Sequence, residues 1–171
     1  MAVHSQHGPH DSARAGARTP TAPGHSGHYR RFAAMLLVSF VAMYFLMYAM
    51  VDGLGNVYAS WNQVYMAGVM TAAMLVIELA LMWSMYPNRS LNIALLAVGL
   101  IAGLGCWFGI REQAAIDDSQ FLRSMIPHHA GAILMCGEAK IVDPEIQALC
   151  RQIIASQEAE IAQMKSLLDE R

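Results

Sequence analysis

Residues 117–136, Asp117-Asp118-Ser119-Gln120-Phe121-Leu122-Arg123-Ser124-Met125-Ile126-Pro127-His128-His129-Ala130-Gly131-Ala132-Ile133-Leu134-Met135-Cys136, decide how the chain folds. Phe121, Met125, His128, Ala132, Met135 and Ala139 recur at alternating steps of four and three, which is one face of a helix. His129 falls on the adjoining stripe with Leu122, Ile133 and Cys136. Neighbouring helical residues diverge by about 100°, so the two imidazoles serve different stripes. Asp117 or Asp118 provides an acceptor for the helix start, and Pro127 predicts a kink beside the histidines that frees the Arg123 carbonyl.

A second helix begins at Asp143-Pro144-Glu145, where a capping acceptor, a proline at the first helical position and an acid in the first turn coincide. Its apolar face is Ile146, Leu149, Cys150, Ile153, Gln157, Ile161, Met164 and Leu168, with Gln157 as a polar intrusion. The short link at 141–143 predicts an antiparallel hairpin. Reflection about Asp143 pairs Cys136 with Cys150, His129 with Gln157 and Met125 with Ile161, and brings Glu160 to the level of the histidines. Facing thiols in an oxidising compartment predict a disulfide; metal ligation and two unconnected core cysteines are the other readings.

Upstream the character changes. Of 171 residues, 56% are hydrophobic and only 14% charged, which points to a membrane protein rather than a soluble domain. Phe32 to Val51 is an unbroken apolar run of 20 residues, long enough for a bilayer core of roughly 30 Å. A second span is expected at about 64–85 and a third at about 91–110, separated by the breaker Tyr86-Pro87-Asn88-Arg89-Ser90. Gly99, Gly103 and Gly105 in the third offer close helix contact, and Cys106 reads as a small buried hydrophobe. Arg14, Arg18, Arg30 and Arg31 precede the first span, whereas the first loop lacks Lys and Arg. By the positive-inside rule the amino terminus is cytoplasmic and residues 112–171 are periplasmic or extracellular, with Arg111 against the trend.

Residues 1–29 hold His4, His7, His10, His25 and His28 among Pro, Gly, Ser and Arg, and are expected to be a disordered cytoplasmic tail rather than a cleavable signal. With Met1 removed, Ala2-Val3-His4 would form a nitrogen site for Cu(II); incidental histidines are the plainer reading. A net charge of -2 gives no ground for nucleic-acid binding.

Asp118, Phe121, Met125-Ile126-Pro127-His128-His129, Ala132, Met135, Asp143-Pro144-Glu145-Ile146, Leu149, Ile153, Gln157, Glu160-Ile161 and Met164 resemble the domain of unknown function 305 family. The resemblance covers about the last third of the chain. It implies a ferritin-like helical bundle and, from several members, copper binding or copper resistance outside the cytoplasm. Longer members carry two copies of the His-pair unit, whereas this chain has one. Two helices bury too little surface to stand alone, so the hairpin either dimerises into a four-helix bundle or packs on the membrane helices.

The fold expected is therefore all-α: three transmembrane helices followed by an extracytoplasmic hairpin, half of a ferritin-like four-helix bundle. His128, His129, Met125 and Met135 are the expected metal ligands, with Gln157, Glu160, Met164, Cys136 and Cys150 in support. Thioether sulfur favours copper, as Cu(I), over zinc. Met66, Met70, Met74, Glu78 and Met82 step by four along the second span, and Met43, Met47 and Met50 lie in the first with Tyr44 and Tyr48. A copper path gated by Glu78 and plain methionine packing are both open readings. No Ser-His-Asp set, phosphate loop or CxxC motif argues for an enzyme. The expected function is membrane-anchored copper handling or tolerance, with the bilayer and a second copy as partners. The alternatives are a metal-free dimerisation module and an oligomeric metal transporter.

Overall fold

Helix α1 spans Ser26–Leu46, α2 Trp61–Leu81, α3 Arg89–Arg111, α4 Asp118–Glu138 and α5 Pro144–Asp169. This computed structural model describes residues 26–171, and among the described residues there is no strand. His4, His7, His10 and His25, with the Ala2-Val3-His4 reading, lie outside the described residues; His28 is in the first turn of α1.

The segments Gly27–Met50, Trp61–Leu81 and Arg89–Arg111 are each long and apolar enough to cross a membrane. Their large side chains point outwards, with Leu46 69% and Ile101 71% exposed. That reverses the soluble pattern and suits a lipid surround. Within the described residues α1 is already helical ahead of the apolar run, where Phe32 is buried against Tyr86 and the Tyr29 hydroxyl donates to Asn92 Oδ1 at 2.9 Å. Fully buried Asn92 donates in turn to the Tyr86 carbonyl. After Leu46 the backbone tightens into a 3-10 turn, Met47–Met50. Ser60 caps α2 by accepting from Gln63 N, which sets its start at Trp61. Helix α2 ends at Leu81, short of the expected boundary, and tightens into the 3-10 turn Trp83–Met85. Pro87 disfavours helical backbone at the residue before it, so no regular helix continues. Asn88 caps α3 through Leu91 N.

Helices α2 and α3 approach closely. A Cβ on Gly99 would lie 2.7 Å from Leu75 Cδ2, and one on Gly103 2.9 Å from Ala72 Cβ. Gly105, also expected at this contact, faces open space, and Gly68 against Cys106 takes its place.

Past Arg111, Gln113 and Ala115 adopt left-handed backbone, with φ of 51° and 55°. This turn is tied back onto α2. Asn62 and Gln113 exchange amide hydrogen bonds at 3.1 and 3.2 Å, and the Tyr65 hydroxyl donates to the Ala114 carbonyl. Asp117 then caps α4 through Gln120 N, and α4 runs unbroken through Pro127. Asp143 caps α5 through Glu145 N and Ile146 N, with Pro144 at the first helical position.

Helices α4 and α5 pack on one another through Leu122, Ile126, Ala130, Ile161 and Met164. Val51 and Tyr58, from the connection between α1 and α2, pack against the same cluster. Of the two ways in which this small core could be completed, packing on the upstream apolar portion is thus present within a single chain. The seat is tight at Gly131, where a Cβ would lie 3.3 Å from the Met50 carbonyl oxygen.

Gly131→Val should therefore push α4 off the Met47–Met50 turn, costing about 1–3 kcal/mol as an overpacked contact. Gly137→Ala, with nothing within 4 Å of the new Cβ, should stabilise by about 0.5–1 kcal/mol through helix propensity. Thermal unfolding of the full chain in detergent checks both signs.

Candidate functional site

His129 is only 8% exposed and faces α5. Its Nδ1 lies 2.9 Å from the Met125 carbonyl oxygen and its Nε2 2.7 Å from Glu160 Oε2. The two contacts tie the ring to its own helix through one nitrogen and to α5 through the other. Glu160 Oε1 also accepts from the Ser156 hydroxyl at 2.9 Å. These partners, Ser156 first and His129 next, hold the Glu160 carboxyl below its ordinary value of 4.5.

Reflection about Asp143 had matched His129 with Gln157. Helical side chains lean towards the amino terminus, and Glu160 reaches back to Ser156. Its carboxylate therefore occupies the level assigned to Gln157. The Gln157 amide oxygen is left buried with no partner among the described residues. Met164 belongs to the α4–α5 core. Cys136 and Cys150 form a disulfide, with Cα atoms 5.2 Å apart, so neither offers a thiolate. This is the first of the three readings of that pair. Cys106 is free and half-buried in α3.

His128 lies on the other side of α4, its ring centroid 5.8 Å from that of His129. With Met125 and Met135 it lines a cavity of about 530 Å³ between α4 and the membrane helices. Three of the four expected ligands thus share one space, and His129 is separate from it. The opposite wall carries Met47 and Met50 from the turn after α1, and Met66 from the first turns of α2. Met47 and Met50 were not among the expected ligands. Their helical spacing with Met43 was a visible signal, but nothing local says that α4 docks there.

The other members of the second-span ridge diverge. Met70 and Met74 are half-buried, and Met82 packs with Phe32, Leu79 and Tyr86 at the far end of the span. Glu78 is half-buried one turn inside that end. Among the described residues no three His, Cys, Asp or Glu side chains converge as a metal-binding group. A metal held in the cavity would rest on thioether sulfur and one imidazole.

Three outcomes follow from this geometry. Alkylation of the unreduced, denatured chain, followed by reduction and a second label, should tag Cys106 in the first step and Cys136 and Cys150 only in the second. Closing a loop with a sequence separation of 14 should contribute about 3 kcal/mol, read as a lower denaturant midpoint for Cys136→Ser/Cys150→Ser. In metal-free protein, His129→Ala should lower thermal stability because the ring is buried and bonded at both nitrogens, whereas His128→Ala should leave it almost unchanged.

Residues 110–168 match the model of the family described as "Domain of unknown function (DUF305)". Over 140 residues the chain is 36% identical to "Uncharacterized protein L153" of Acanthamoeba polyphaga mimivirus, an alignment covering 80% of this chain and 90% of that protein. No solved structure matches.

Proposed function

The chain belongs to the family that carries the domain of unknown function 305, and on that premise we propose that it is a membrane-anchored copper-binding protein for extracytoplasmic copper handling or tolerance. The observation that carries this reading is that Met125, His128 and Met135 line one cavity. Two thioethers and an imidazole form a soft donor set, suited to Cu(I) and poorly suited to hard divalent ions. The residues present therefore fit a copper ion. His128, unlike His129, has no hydrogen-bond partner among the described residues and is exposed, so its ring is free to bind. His129 and Glu160 act beside the site, holding α4 against α5 so that the opposite face of α4 keeps its orientation. On the positive-inside rule the α4–α5 pair, an antiparallel hairpin of the half-ferritin type, lies outside the cytoplasm. There its disulfide persists.

A second reading has one observation of its own. Ile146 and Leu149 on α5 are 48% and 53% exposed, an apolar strip on which a second copy would build a four-helix bundle without metal. The readings separate in one experiment. The full chain in detergent, titrated with Cu(I) against a competing chelator, should bind Cu(I) in preference to Zn(II). His128→Ala should weaken Cu(I) binding at least about tenfold. Wild-type protein that takes no Cu(I) from the chelator, yet is dimeric by light scattering, would replace the copper reading with the interaction module.

A further inference from the structure

The cavity has two walls, and only one belongs to the family domain. Met125, His128 and Met135 come from α4, while Met47, Met50 and Met66 come from the ends of the first two membrane helices. Five methionines and His128 line a common space of about 530 Å³, with Ser60, Asn62, Gln63 and Ser124 also on its walls. Methionine most often fills gaps in a core, where it is buried. Here Met50 and Met135 are each 53% exposed and Met66 is 44% exposed. These three are thus not enclosed in a core, whereas Met47 and Met125 are half-buried, Met125 also against the α4–α5 core. The position is held by independent contacts on either side. Trp61 N donates to Gln120 Oε1 at 3.0 Å, the Tyr48 hydroxyl donates to the Tyr58 carbonyl at 2.8 Å, and Gly131 abuts the Met50 carbonyl. Both walls are thus anchored before any ion arrives, which lowers the ordering cost of bringing distant sulfurs together.

We infer that Met47, Met50 and Met66 complete, with Met125, His128 and Met135, a single soft monovalent-cation site shared between the membrane helices and α4. This rests on the copper reading above and adds that the membrane portion supplies ligands as well as an anchor. The site belongs to the whole chain rather than to residues 110–168 alone. It also sits where the α2 methionines begin, with Met70 and Met74 following Met66 at four-residue steps along the span.

Silver(I) is the probe of choice, because it is soft, monovalent and needs no reductant that would open Cys136–Cys150. The wild-type chain in nanodiscs is pulsed with dilute hydrogen peroxide, with and without Ag(I), and methionine sulfoxide is mapped by mass spectrometry. Met47, Met50 and Met66 should be protected together with Met125 and Met135, while Met85, 53% exposed at the other end of the membrane helices, should oxidise equally in both. The variant Met47→Leu/Met50→Leu/Met66→Leu conserves volume, keeps the α4 donors, and should lose at least about tenfold in Ag(I) and Cu(I) affinity. Protection confined to Met125 and Met135, with wild-type affinity in that variant, overturns the shared site and leaves the copper reading standing. Absence of protection at all five methionines, with no Cu(I) binding, overturns both.

Discussion

The packing of Val51 and Tyr58 onto the core between α4 and α5 is the contact on which the arrangement depends. Two helices of this length share one face, and the surface they bury leaves a marginal structure unless a third element is added. Here that element is the connection between the first two membrane helices. It closes the core from below, and polar ties from Gln113, Ala114 and Gln120 to the first residues of α2 fix how the pair is rotated. Because that rotation is fixed, the His128 face of α4 meets the ends of the first two apolar helices across the cavity.

The two neighbouring histidines then divide their work by burial. A buried polar group must find partners, and His129 has a carbonyl at one nitrogen and a carboxylate at the other. It stitches α4 to α5, much as the disulfide does nearer the connection. His128 sits a residue earlier and about 100° away, on the cavity side. One dipeptide thereby serves both the α4–α5 packing and the candidate site. Sequence alone assigned the rings to different stripes, with Met125 and Met135 on the stripe of His128. The structure keeps that grouping and turns the stripe towards the cavity.

Methionine explains why much of the site was hard to read. Its thioether is apolar enough to sit in a bilayer and soft enough to bind a metal, so position in the sequence does not tell the two uses apart. Placement in the fold does: Met82 and Met164 are packed in clusters, Met50, Met66 and Met135 are exposed side chains lining the cavity, and Met125 touches both the α4–α5 core and the cavity. The Met66-to-Met82 ridge, regular in sequence, divides accordingly into a cavity end and a packed end.

Features set by short-range physics were legible in the residues themselves. Three apolar stretches of bilayer length, the Asp117 and Asp143 caps with Pro144 behind the latter, and the facing of Cys136 and Cys150 across a short link depend only on length, hydropathy, capping chemistry and helical period. The end of the second apolar helix moved inward, from the expected boundary near 85 to Leu81, where the backbone tightens ahead of Pro87. What only the tertiary structure decided is which residues share a space. Met47 and His128 lie far apart along the chain, and no local preference encodes their meeting. It arises because the α4–α5 core needs covering, the first membrane loop covers it, and Gly131 lets the two come close enough for six soft donors to line one cavity.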